Sequence, residues 1–355
     1  MCQCLVKPSN GAQYQYHNNL QAAPTTINMK IAVTGSSGFI GQVLVPLLLG
    51  QGHVLNLLTR QPVSTNNQEN ITFIHGDLLQ QNSLNRLVAG MDVVINVAAM
   101  ISISDAADKN AFKVNTEGTS LLLAAAQRAA VRRFIHVSSV AAFEQAPYDE
   151  PMDESWGPAT AQPYSYDASK VIAQATALAY NSNNFEVIVL APTAVTGPFD
   201  QRPSLLGKAV INMYKGNVPA LFPGGVDFVD VRDVAAAIAS ALTRGVPGNT
   251  YLLSGRWVSL KNLSREVYKA KGKNKVLPIL PLWLAFGLLP LVKLWARITG
   301  GQPYYTRAAI YQVIHSNKKI DHSKATAALD YKPRPFEETI KDEIDWFKKK
   351  GFLGD

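Results

Sequence analysis

The stretch Lys30-Ile31-Ala32-Val33-Thr34-Gly35-Ser36-Ser37-Gly38-Phe39-Ile40-Gly41 constrains the fold of this chain more than any other. A short apolar run reads as a buried strand, glycines follow it at once, and an apolar, helix-like segment runs from Phe39 to Leu49. A turn between such a strand and helix faces a ligand. Gly35 allows the tight turn, Gly38 lets backbone approach a pyrophosphate, and Gly41 lets the helix pack closely on the strand. The free N–H groups and dipole of the helix then attract phosphates. The ligand expected here is a dinucleotide, held at Gly35, Ser37, Gly38, Phe39, Ile40 and Gly41. An ordinary glycine-rich turn has the same local spacing, so context has to separate the two readings.

From Met29 to about Pro198 the chain alternates short apolar runs with longer helical patterns, as a parallel sheet of βαβ units does. Strands are expected at Ile31–Val33, Val54–Leu58, Thr72–Ile74, Val93–Val97, Arg133–Val137 and Val187–Leu190. Helical patterns cover Val43–Leu49, Ser83–Val88, Ala111–Ala129 and Ser169–Tyr180. The fold class is α/β, a Rossmann-type doubly wound parallel sheet with a smaller, mostly helical C-terminal substrate domain. Residues 29–198 would form the dinucleotide-binding domain, joined by a return segment at about 229–254. Residues 199–228 and 255–355 would form the substrate domain.

The second expected strand ends Leu57-Leu58-Thr59-Arg60, with no acid from Gln51 to Gln68. A carboxylate there would accept hydrogen bonds from the adenine ribose of NAD and repel the extra phosphate of NADP. Arg60 therefore points to NADP(H), with NAD(H) the alternative; its other reading is a surface arginine after a strand.

The chemistry gathers later. His136-Val137-Ser138-Ser139-Val140 ends a strand, and Pro163-Tyr164-Ser165-Tyr166-Asp167-Ala168-Ser169-Lys170 opens a helix. Tyr166 and Lys170 stand four residues apart and share a helix face. A phenol near pKa 10 exchanges protons poorly at neutral pH, and a neighbouring ammonium favours its phenolate.

The T-G-x-x-G-x-x-G turn, Val114-Asn115-Thr116-Glu117-Gly118-Thr119, the serine pair and Tyr-x-x-x-Lys occur in the order of the extended short-chain dehydrogenase/reductase family, which the chain resembles from Met29 onward. The tail Gly300-Gly301-Gln302-Pro303, Asp321-His322-Ser323-Lys324-Ala325 and Asp330-Tyr331-Lys332-Pro333-Arg334-Pro335 looks most like the dihydroflavonol 4-reductase and 3β-hydroxysteroid dehydrogenase branch. The resemblance implies that Tyr166 is the general acid in reduction and base in oxidation, and that Lys170 holds the nicotinamide ribose. It implies that Ser139, rather than Ser138, hydrogen-bonds the carbonyl oxygen, and that Asn115 supports the site through backbone and water. His75-Gly76-Asp77-Leu78 resembles the adenine-side motif. The small residues around Ala98 would let backbone pass the cofactor, and Leu190-Ala191-Pro192-Thr193-Ala194-Val195 would run beside the nicotinamide, bringing Pro192 and Val195 to it. The chain departs from many relatives at Asn96, where they have His, and at Ala191, where they have Arg; the second removes one anchor for an anionic substrate.

Composition excludes other mechanisms. The two cysteines are Cys2 and Cys4, so the body has no thiol nucleophile, disulfide or thiolate metal site, and the six histidines lack ligand spacing. Residues Met1 to Asn28 read as a disordered tail, or as an extension ahead of a start at Met29, without the pattern of a secretory signal; the expected location is the cytoplasm. The net charge of +8 is spread thinly, with its densest cluster at Lys348-Lys349-Lys350, and no nucleic-acid partner is expected. Val276 to Val292 carries no charge and is broken by Pro278, Pro281 and Pro290. It is too short to span a bilayer, which leaves a lid over an apolar substrate, domain core, or a membrane-surface contact through 276–297 flanked by Lys293 and Arg297, the last the least favoured. The expected partner is a small, mainly apolar carbonyl compound or alcohol; a homodimer is open. The rivals are a nucleotide-sugar epimerase or dehydratase and a non-catalytic NADP-binding regulator.

Overall fold

The computed structural model describes residues 28–61, 69–101, 108–160, 165–284, 286–287 and 306–354. The expected N-terminal tail up to residue 27 lies outside them.

Seven strands form a parallel sheet: β1 (Lys30–Thr34), β2 (Val54–Thr59), β3 (Ile71–His75), β4 (Val93–Asn96), β5 (Arg133–Val137), β6 (Glu186–Pro192) and, after two strands of another sheet, β9 (Thr250–Leu253). Their order is β3-β2-β1-β4-β5-β6-β9, so the direction of winding reverses between β1 and β4. All six expected strands and the strand-like 250–253 are present, within a residue at most ends.

Strand alternation divides the core. Ile31 and Val33, Val93 and Ile95, and Ile188 and Leu190 face one side, with α1 (Phe39–Gly50) and α6 (Val231–Ser240) covering them. Ala32, Val94, Val187 and Val189 face the other, beneath α2 (Gln81–Val88), α3 (Lys109–Arg128) and α4 (Ser165–Ala179). Two covered faces are why these strands read as nearly continuous apolar runs.

The C-terminal part is not helical throughout. β7 (Ala194–Thr196), β8 (Gly225–Asp230) and β10 (Arg256–Ser259) form a second sheet, antiparallel between β10 and β8 and parallel between β8 and β7. Strands of three to six residues leave too little periodicity to read. This sheet packs with α5 (Leu205–Lys215), α7 (Leu260–Ala270) and the helix Phe336–Lys349 around Phe228, Val267, Ile340 and Phe347.

Candidate active site

The C-terminal ends of β1, β2, β4, β5 and β6 open on one cleft of about 1500 Å³, at the reversal point where parallel sheets bind ligands. Gly35 turns the chain with φ +74°, and a Cβ there would sit 2.6 Å from the Ala98 nitrogen, so only glycine fits. At Gly41 a Cβ would lie 2.2 Å from the Gly35 carbonyl oxygen; its bareness seats α1 against the turn. Helix α1 starts after Gly38 with no side-chain cap and no acid in its first turn, which leaves backbone donors and the positive helix end facing the cleft.

Ser37, Phe39, Ile40, Arg60, Asp77, Leu78, Ala98, Pro192 and Val195 line the same cleft, as do Gly35 and Gly38. Gly41 does not; it lies behind the turn. Arg60 is exposed at the end of β2. Asp77 uses Oδ1 to accept from the Leu79 backbone N–H at 3.0 Å, and buried Leu78 packs over Gly118.

At the other end Ser139, Tyr166 and Lys170 converge. The serine pair is divided by its partners: Ser138 Oγ donates to Gln174 Oε1 at 2.7 Å inside the protein. Ser139 Oγ accepts from the Ala141 N–H at 3.2 Å and keeps its hydroxyl proton for a ligand or for Tyr166, with which it hydrogen-bonds. Burial pushes the Tyr166 phenol up to about 12, against the pull of Ser139. Burial also pushes the Lys170 ammonium down to about 8, and Lys170 Nζ donates to the Val137 carbonyl at 3.1 Å. In the protein's own groups, burial therefore outweighs the hydrogen bond from Ser139, and the expected lowering by Lys170 does not set the phenol's range.

Asn115 does not line the cleft. It accepts from the Met100 N–H at 2.8 Å, donates to the Met100 carbonyl at 3.0 Å and donates to Ser169 Oγ at 3.0 Å. Ser169 in turn donates to the Tyr166 carbonyl at 2.7 Å, so Asn115 positions the helix turn that carries Tyr166. Asn96 is likewise buried, accepting from Thr34 Oγ1 at 2.7 Å and sharing a hydrogen bond with His136 Nδ1 at 3.3 Å. His136 sits beneath Lys170, and burial followed by the Lys170 charge pushes its imidazole down to about 3.

The half of the cleft away from the glycine turn is walled by Leu205, Leu206, Met213, Leu221, Phe222 and Tyr311, with exposed Lys208 its one lysine or arginine among the described residues. Two acids also reach it. Asp167 accepts from Gln312 Nε2 at 3.4 Å, and Asp227 accepts from Thr193 Oγ1 at 2.7 Å and the Gly255 N–H at 2.8 Å. Burial pushes both carboxyls up to about 6. Sequence reading missed these residues; Asp167 had a usable signal, being a charge beside Tyr166 at a helix start.

One expectation is corrected. Ala191 is fully buried with Phe143, Met152 and Leu252, away from the cleft, so its place in the sequence says nothing about an anion anchor there. No described residue of 276–287 lines the cleft, and residues 285 and 288–305 lie outside the described residues.

A family model described as "NAD dependent epimerase/dehydratase family" matches residues 31–254. The chain is 27% identical over 333 residues to sterol demethylase protein B of Methylococcus capsulatus, covering 92% of this chain and all of that one. It is 28% identical over 332 residues to a candidate dihydroflavonol 4-reductase of Synechocystis sp., covering 90% of this chain and 95% of the other. Among solved structures, that of gox2253 superposes with a TM-score of 0.76 at 30% identity, over 92% of this chain and 100% of its own.

Proposed function

The chain belongs to the NAD dependent epimerase/dehydratase family, and from that premise we propose that it transfers hydride between NADP(H) and a mainly apolar aldehyde, ketone or alcohol. One observation carries the reading. Ser139, Tyr166 and Lys170 meet at the junction between the glycine turn's end of the cleft and an apolar half. The names of the two relatives, one a sterol demethylase protein and one a candidate dihydroflavonol reductase, agree with an oxidoreductase acting on apolar compounds.

The residues present fit a dinucleotide. The backbone of Gly35 and Gly38 and the uncapped start of α1 form a cradle for phosphates that a Cβ at Gly35 would fill. Arg60 would take the ribose phosphate of NADP, Asp77 and Leu78 the adenine side, Ala98, Pro192 and Val195 the nicotinamide half, and Lys170 the ribose hydroxyls. When bound, the reduced nicotinamide supplies a hydride to the carbonyl carbon. Ser139 donates a hydrogen bond to the carbonyl oxygen as charge builds on it, and Tyr166 transfers its phenolic proton to that oxygen. A neutral phenol, which burial favours, is the form a proton donor needs at pH 7. Lys170, still cationic at neutral pH, stabilises the phenolate that results.

The apolar half argues for the substrate class. A nucleotide sugar carries a diphosphate that needs several cationic or N–H partners, and the one exposed lysine among the described residues there leaves that charge poorly compensated. The test is a panel of aldehydes, ketosteroids and UDP-sugars, followed by NADPH absorbance and by thermal shift with NADPH or NADH present. Apolar carbonyl compounds are expected to turn over and to stabilise the protein, with NADPH preferred. Stabilisation by UDP-sugars instead would move the assignment to an epimerase or dehydratase, and equal affinity for the two cofactors would remove Arg60 from the argument.

A further inference from the structure

The connection after α7 combines two features that the cleft does not use. Its described part presents large apolar side chains to solvent: Trp283 is 74% exposed, Ile279 44% and Phe286 39%. Such an exposed aromatic cluster on one short segment marks a contact surface. The sequence that flanks it is rich in cations. From Val267 to Ile320 the sequence holds nine lysines and arginines and no acid, so this stretch carries more than the whole net charge of +8. Lys273 and Lys275 are exposed in the turn that leads into the apolar segment.

The segment is also fastened to the wall of the cleft. The Leu221 N–H donates to the Pro278 carbonyl at 2.8 Å, and the Leu280 N–H donates to the Leu221 carbonyl at 2.7 Å. Leu282 packs against Phe222 and Ile310. Leu221 and Phe222 line the cleft on their other side. The exposed aromatic edge thus stands one layer of side chains from the apolar half of the cleft.

We propose that residues 273–284 and 286 dock on an anionic membrane surface, with Trp283, Phe286 and Ile279 entering the interfacial layer and Lys273 and Lys275 meeting the lipid phosphates. Indole and phenyl side chains favour the bilayer interface, and lysines beside them select negatively charged lipid. No helix among the described residues is long and apolar enough to cross a membrane, so the contact lies on one leaflet. Taken with the reductase reading, on which this last step rests, the cleft would draw an apolar substrate from the lipid against which it sits.

Vesicle flotation of the full chain tests the docking without any turnover. The protein is expected to float with vesicles of phosphatidylcholine mixed with phosphatidylglycerol, weakly with phosphatidylcholine alone, and less as salt rises. Lys273→Glu and Lys275→Glu are each expected to weaken binding to the anionic vesicles by about fivefold or more. Trp283→Ser, at an exposed site that leaves the fold intact, is expected to weaken it by about tenfold or more. A parent protein that fails to float with anionic vesicles overturns the proposal, as does a Trp283→Ser variant that floats as well as the parent. A Trp283→Ser variant that turns a dimer into a monomer without changing flotation would give the face to a second copy of the chain, again overturning it. Turnover of a water-soluble carbonyl compound by Trp283→Ser is expected to match the parent, so failure of the docking idea leaves the reductase reading standing.

Discussion

Tyr166 shows how much a single residue's chemistry depends on what surrounds it. The four-residue spacing to Lys170 was legible, and so was the helix start. Burial that holds the phenol neutral at about 12, and the diversion of Lys170 Nζ to the Val137 carbonyl, were not, because both come from strand and helix closing over the site. The serine pair makes the same point: only the Gln174 amide, from another part of α4, distinguishes Ser138 from Ser139. If Tyr166 delivers the proton, Tyr166→Phe should lower turnover of a carbonyl substrate by about two to four orders of magnitude, the usual loss for a general acid. Cofactor affinity, measured by fluorescence titration, should stay within about twofold, since the phenol's proton meets the substrate. Near-parent turnover would remove Tyr166 from the mechanism and revive a non-catalytic binding protein.

Elements, more than residues, bring the site together, and Asn115 is where three of them meet. From the middle of α3 it holds both backbone groups of Met100, just beyond β4, and through Ser169 the first turn of α4. A mid-helix asparagine is costly unless its amide is fully used, and here each of its bonds reaches another element. Asn115→Ala should cost about 1–3 kcal/mol by leaving those buried partners unsatisfied, read as a lower denaturation midpoint. Turnover should fall as the Tyr166 turn loosens, while cofactor affinity, set across the sheet at the glycine turn, should hold. A variant with parent stability and rate would show that helix packing alone positions α4.

For the whole molecule, the helix Phe336–Lys349 returns near the end of the chain and sends Glu343 into the interior. Its Oε2 accepts from Thr196 Oγ1 at 2.9 Å, at the end of β7, while Oε1 has no partner among the described residues. Burial first, then the neighbouring charges of Asp200 and Asp230, push the carboxyl up to about 8 from an ordinary 4.5. The folded protein thus binds a proton that the unfolded chain releases, and stability falls as pH rises through that interval. Asp167 and Asp227, near 6, act in the same direction only at lower pH, and His136, buried neutral, acts in the opposite direction below 6.5. From pH 6.5 to 8 Glu343 should therefore dominate, with Lys170, near 8, opposing it only at the top of the window, and stability should fall by about 1 kcal/mol. Glu343→Gln should flatten thermal midpoints across that window; an equal fall in parent and variant would place the effect elsewhere. The amino-acid sequence by itself determined the parallel sheet, the glycine turn and the order Ser139, Tyr166, Lys170, because those signals are local: strand and helix periods, residues that fit one backbone shape, and i to i+4 spacing. Tertiary structure alone decided that Ala191 faces the core, that Asn115 works from behind the cleft, that the second sheet exists, and that Trp283 meets solvent. Each of these is a question of which distant side chain fills the space beside a residue, and in a close-packed interior only the assembled fold answers it.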